Sequence, residues 1–107
     1  MQKKLPVGIF DSGFGGLSVA KSIHNLLPKE DLLYVADSAF TPYGDMHDID
    51  IIDRAILISD FLINKKHSKA IVVACNTATA FSVNALREKF NVPIIGMEPA
   101  VKPAIKV

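Results

Sequence analysis

Cysteine is nearly absent from this chain: Cys75 is the only one in 107 residues. No internal disulfide can form, which suits a reducing compartment. Tryptophan is missing and aromatic residues make up 7% of the sequence. None of them interleaves with a Lys/Arg cluster, and twelve basic residues nearly balance eleven acidic ones for a formal net charge of +1. That balance excludes a surface built for nucleic-acid phosphates. No stretch approaches the roughly 20 apolar residues of a membrane span. The short apolar run Leu5–Phe10 is broken by Pro6 and Gly8 and lacks a small-residue cleavage site, so a signal peptide is not expected. His24, His47 and His67 show no ligand spacing, and no metal site is expected. Internal linkers, low-complexity tracts and long repeats are also missing. What remains is the expectation of a soluble cytoplasmic domain with no membrane or nucleic-acid partner.

Half of the residues are apolar, enough for a real core. A chain of this size can bury about 60–70% of the surface it exposes when unfolded. Apolar segments alternate with longer helical patterns, the signature of βαβ units. Leu5–Phe10 reads as a first strand, followed by the glycine-rich turn Asp11-Ser12-Gly13-Phe14-Gly15-Gly16. A helix follows from Leu17 to Leu27, with Leu17, Ala20, Ile23 and Leu27 expected on one face and Pro28 as the stop. Leu32–Ala36 is a second strand, and Asp37 to His47 a polar loop. A long helix over Asp48–Lys65 is expected to bury a stripe of Ile49, Ile52, Ile56 and Ile63, broadened by Ala55, Leu57 and Leu62. Asp48 and Asp50 at its start and Lys65 and Lys66 at its end suit the helix dipole. Ala70–Ala74 is a third strand, Thr77–Phe90 a third helix and Val92–Gly96 a fourth strand, while Glu98–Val107 begins a further element. The fold class is α/β: a mainly parallel four-stranded sheet flanked by helices, in a flavodoxin-like three-layer layout.

Small polar residues gather where strands end. Two strands run into Asp-Ser, at Asp11-Ser12 and Asp37-Ser38, and a third into Cys75-Asn76. In open parallel sheets ligands bind beyond the carboxyl ends of the strands, so this edge is the candidate site. The three glycines of the first turn permit close backbone approach, and free amides at a helix start attract an anion. The spacing is neither G-x-G-x-x-G nor a Walker loop. A tight turn capped by Asp11 or Ser12 accounts for the segment equally well. Cys75 stands where an apolar strand meets a helix start, a setting that can activate a thiol as base or nucleophile. An inert buried cysteine is the alternative, with Asn76 and Thr77 as N-caps. Pro42 and Gly44 bring turn chemistry to the loop, where Tyr43 either reaches a cleft or covers the sheet edge.

Four blocks in series, covering essentially the whole chain, resemble the glutamate racemase family of the aspartate/glutamate racemase superfamily. They are Gly8-Ile9-Phe10-Asp11-Ser12-Gly13-Phe14-Gly15-Gly16-Leu17-Ser18-Val19; Ala36-Asp37-Ser38 leading to Pro42-Tyr43-Gly44; Val73-Ala74-Cys75-Asn76-Thr77-Ala78-Thr79-Ala80; and Ile95-Gly96-Met97-Glu98-Pro99-Ala100. The resemblance implies interconversion of L- and D-glutamate without pyridoxal phosphate, metal or other cofactor, supplying D-glutamate for peptidoglycan and the cell wall. It implies two similar α/β domains with one cysteine on each and glutamate between them. Residues 1–107 then correspond to the N-terminal catalytic half, whose partner is the C-terminal domain, and a homodimer is left open. By the same resemblance Cys75 is an acid/base cysteine and Asp11 the carboxylate assisting it, while Ser12, Pro42, Tyr43, Gly44, Asn76 and Thr77 hold the substrate. Many members follow Tyr-Gly with an acidic residue and then lysine, whereas Asp45 here precedes Met46-His47. The second-domain cysteine, followed in the family by threonine and histidine, has no counterpart in these residues, so the chain alone is expected to be inactive. The rival readings are an aspartate or other amino-acid racemase of the superfamily and a non-catalytic amino-acid-binding domain. Asp-Ser-Gly-x-Gly-Gly together with Cys-Asn-Thr favours glutamate.

Overall fold

Neighbouring residues on the strands bury into opposite layers: Ile9 and Phe10, and Val72 and Val73, face opposite sides of one sheet. This alternation is what lets one sheet carry two helical layers. The structure is a computed structural model that describes residues 4–13, 16–37 and 46–97. Its elements are β1 (Val7–Asp11), α1 (Gly16–Leu26), β2 (Leu32–Ala36), α2 (Asp48–Asp60), β3 (Ala70–Val73), α3 (Asn76–Lys89) and β4 (Ile94–Gly96). A π-helical turn, Phe61–Lys65, prolongs α2, so the long helix expected over 48–65 is present with a change of pitch in its last part. The turn ends at His67, whose φ of 59° is left-handed, while the Ser68 amide reaches back to Leu62 O at 2.9 Å. That reversal closes a helix.

The four strands lie in the order β2-β1-β3-β4 and all neighbours are parallel. The register sets Asp11 beside Ala36 and Phe10 beside Val73. Right-handed crossovers dictate the layers. The chain steps one way from β1 to β2 and the other way from β2 onward, so α1 covers one face and α2 and α3 the opposite one. The larger core, on the α2/α3 side, joins Phe10, Ile71 and Val73 to Ile51, Ala55, Ile58, Leu62 and Leu86. The smaller one sets Ile9, Val72 and Ala74 against Ala20. Fully burying one such aliphatic or aromatic side chain contributes about 1.5–3 kcal/mol. The sheet, its parallel sense and its four strands agree with the sequence reading.

Two helix faces differ from that reading. Leu17 and Leu27 are more than half exposed, leaving Gly16 and Ala20 as the buried positions of α1. Along α2 and its π-helical turn the buried residues are Ile51, Ala55, Ile58 and Leu62, of which Ala55 and Leu62 were expected; Ile49 and Leu57 are exposed, and Ile52, Ile56 and Ile63 are only partly buried. Both sets have helical spacing, and the isoleucines of α2 spread over a broad arc of the helix. Periodicity therefore could not choose between them, and contact with Phe10 and Ile71 does. Among the described residues, no helix is long and apolar enough to cross a membrane.

Candidate active site

Cys75 lies two residues beyond β3 and forms the N-cap of α3, with extended backbone (φ −141°, ψ 124°). Its Sγ accepts the Ala78 amide at 3.5 Å and donates to Ser12 Oγ at 3.3 Å. The backbone ladder continues past the strands, with the Ala74 amide on Phe10 O at 2.7 Å, and so brings Ser12 alongside Cys75. This is the gap between β1 and β3, where the strand order reverses and where such sheets bind ligands. Cys75 is half-buried and Ser12 buried, so the sulfur is neither sealed in the core nor loose at the surface. Asn76 is exposed and Thr77 half-buried in the first turn of α3. Neither is the cap expected from sequence. The sulfur of Cys75 takes that role, leaving both side chains at the same edge.

Asp11, the last residue of β1, is fully buried. Its Oδ2 accepts the Gly16 amide at 2.9 Å and the Tyr34 hydroxyl at 3.1 Å. Gly13, at φ 115°, turns the chain with a backbone that side chains rarely adopt. A Cβ on Gly16 would overlap Cβ and Cγ of Asp11, so that glycine is required by close approach. The Gly16 amide, expected to be free for a ligand anion, is occupied by the chain's own carboxylate. Asp11 is thus a cap for α1, the structural alternative read from the sequence. Its other oxygen, Oδ1, is buried and has no hydrogen-bond partner among the described residues. Burial pushes the Tyr34 phenol above its ordinary range, and the charge and hydrogen bond of Asp11 raise it further.

Asp37 closes β2 as Asp11 closes β1, and its amide donates to Asp11 O at 2.8 Å. Its carboxylate is held in a two-pronged pair by Arg54 of α2, Nε to Oδ2 at 2.9 Å and Nη2 to Oδ1 at 2.8 Å. At the far side of the site Thr79 Oγ1 donates to Val73 O at 3.3 Å and accepts the Met97 amide at 2.9 Å, tying the ends of β3 and β4. Tyr34, Arg54 and Thr79 were not singled out from sequence. The available signals were a single basic residue in a helix whose other charges are all aspartates and a tyrosine in an otherwise aliphatic strand. Pro42, Tyr43 and Gly44 lie outside the described residues, as does Ser38. Among the described residues no group of three or more His, Cys, Asp or Glu could hold a metal ion.

No protein-family model matches the chain. Individual relatives do. The chain is 54% identical over 100 residues to a glutamate racemase of Methylococcus capsulatus, covering 94% of the chain and 36% of that protein. It is 55% identical over 104 residues to one of Ectopseudomonas mendocina, covering 96% and 39%. Among solved structures, Escherichia coli glutamate racemase, crystallised with L-glutamate and the activator UDP-MurNAc-ala, superposes with a TM-score of 0.89 at 41% identity, covering 98% of this chain and 40% of that one. The Thermus thermophilus enzyme, in complex with beta-chloro-D-alanine, gives 0.86 at 45% identity over 94% and 40%. By sequence and by fold the chain belongs to the glutamate racemase family, spanning about two fifths of the length of the relatives it matches.

Proposed function

We propose that these residues supply one catalytic face of a cofactor-independent glutamate racemase, with Cys75 as its proton-transfer group. The observation that carries this is the position of the Cys75 sulfur, between the Ser12 hydroxyl and the Ala78 amide at the reversal of strand order. Racemisation must remove the Cα proton from one face of the amino acid and return a proton to the other. Two opposed groups are the simplest arrangement for that. A thiolate at Cys75 takes the proton, the S–H bond forms as the C–H bond breaks, and the electron pair spreads into the substrate carboxylate. An acid on the opposite face then protonates Cα. A thiol serves this chemistry when amide donors are in place to receive its charge. Asp11 assists beside it, and Ser12, Asn76 and Thr77 offer donors to the substrate's carboxylate, while Pro42, Tyr43 and Gly44 complete the substrate-holding loop in the resemblance. The relatives' names favour glutamate over other amino acids. This reading makes residues 1–107 a catalytic half-domain completed by a second domain, with D-glutamate supplied to peptidoglycan from the cytoplasm.

The test is Cα proton exchange in deuterated solvent, followed from both enantiomers, in a family-length polypeptide carrying this sequence. Cys75→Ala is expected to abolish exchange in both directions, and Cys75→Ser to leave a trace because a hydroxyl is a far weaker acid. Turnover unchanged in Cys75→Ala would remove the mechanism.

A further inference from the structure

The two aspartates that end adjacent strands are used differently. Asp37 has both carboxylate oxygens on Arg54. Asp11 has Oδ2 doubly bonded and, among the described residues, Oδ1 without a partner, although the residue is fully buried. An unsatisfied buried acceptor forfeits its hydration without return, and such a group calls for a physical reason. The arrangement around it is rigid. The register places Tyr34 beside Ile9, on the same sheet face as Asp11 and one strand away. Tyr34 packs against the α1-side core, so its ring is fixed and its hydroxyl meets Oδ2 at 3.1 Å. The Gly16 amide meets the same oxygen from α1, and the Asp37 amide holds the Asp11 backbone from β2. The two side-chain bonds thus fix the carboxylate through Oδ2, the backbone bond fixes the chain beneath it, and among the described residues Oδ1 is left unused, next to Ser12.

Resting on the racemase reading above, the geometry points to Tyr34 as a positioning residue for the reaction. It locks the Asp11 carboxylate through Oδ2 so that Oδ1 is presented to a hydrogen-bond donor of the reacting amino acid. Without the hydroxyl, Asp11 keeps only the Gly16 amide as its side-chain partner among the described residues and can rotate to a new compromise. The buried acceptor is then no longer set before the substrate arrives.

The measurement is steady-state racemisation by a family-length polypeptide carrying this sequence, comparing Tyr34→Phe, Asp11→Asn and the double variant. Tyr34→Phe keeps the packed ring and is expected to lower kcat by about 10- to 100-fold, the scale of a small misplacement of a reacting group. KM should move much less, because the substrate's carboxylate contacts persist. The double variant should lose no more than Asp11→Asn alone, since both changes disable one unit. A merely structural role would lower the thermal midpoint and leave kcat of the folded enzyme unchanged. If Asp11→Asn does not fold, Tyr34→Phe decides alone: reduced kcat well below its melting temperature supports positioning, and wild-type kcat overturns it. No racemisation by the unsubstituted polypeptide would instead sink the racemase reading, and this inference with it.

Discussion

Cys75 Sγ and Ser12 Oγ lie 3.3 Å apart and join the carboxyl ends of β3 and β1 across the centre of the sheet. A half-buried thiol in this position is open to small reagents, whereas a core cysteine is not. The folded chain is therefore expected to be alkylated at Cys75 by iodoacetamide without prior unfolding. Ser12→Ala, which removes the hydroxyl partner, should change the rate. Mass spectrometry of native and denatured samples reads both. Labelling that occurs only in denaturant would make Cys75 an inert core residue.

Gly16 abuts Asp11 so closely that a Cβ has no room. Replacing glycine by alanine inside a helix ordinarily gains about 0.5–1 kcal/mol. Here the sign should reverse: Gly16→Ala is expected to cost about 1–3 kcal/mol, as overpacking does. Urea denaturation measures it. A gain in stability would mean that Asp11 does not pack against the start of α1.

The parallel sheet was legible because each strand is a short apolar run bounded by turn residues and separated by helical patterns. The site edge was legible because chain order and strand ends place Asp11, Ser12 and Cys75 together in any such sheet. What could not be read is where side chains settle once the layers close. Ile51 rather than Ile49 entered the core because the apolar residues of α2 spread over a broad arc that spacing alone does not orient. Asp11 bonded inward to Gly16 and Tyr34, and no local pattern links residues on neighbouring strands 23 positions apart. Arg54 found Asp37 across the sheet's end for the same reason.

The Arg54–Asp37 pair is mostly withdrawn from water, Asp37 being 7% exposed and Arg54 a quarter. Arg54→Leu takes both hydrogen bonds of the pair from a buried carboxylate and is expected to cost about 3 kcal/mol. The double replacement Arg54→Leu with Asp37→Leu should recover much of that loss, because apolar pairs substitute well for buried ion pairs. Chemical denaturation of the single and double variants gives the coupling. Additive losses would show that the two side chains do not act together.

Burial, and then the charge and hydrogen bond of Asp11, hold the phenol of Tyr34 above its ordinary pKa. A raised pKa favours the protonated form in the folded state. Its stabilising contribution is complete below about pH 10, the unfolded value, and is lost as pH rises through the higher folded value. Tyr34 and Tyr43 are the only tyrosines, so a Tyr43→Phe background isolates the signal. Phenolate absorbance should titrate later in the native chain than in urea, and Asp11→Asn should bring it back toward the ordinary value. A native midpoint at or below the urea value would contradict the Tyr34–Asp11 bond.

The 107-residue polypeptide by itself is expected not to racemise glutamate. Its sequence holds one thiol, Cys75, and the described site residues come from the ends of β1, β2 and β3 in a single sheet. One such edge faces one side of a substrate. A proton removed there can return from the same sulfur, which regenerates the starting enantiomer, but inversion needs an acid on the other side. An open edge also lets water compete for every donor, which weakens the electrostatics that a closed site would supply. Binding by Ser12, Asn76 and Thr77 alone should be about millimolar or weaker. The isolated polypeptide should therefore give no optical rotation change with either enantiomer. Adding the remaining portion of a family member as a separate polypeptide should restore some Cα exchange. Sustained racemisation by the purified 107-residue chain, free of any longer enzyme, would mean that one cysteine and a second group on the same face suffice, and the two-sided mechanism would be wrong.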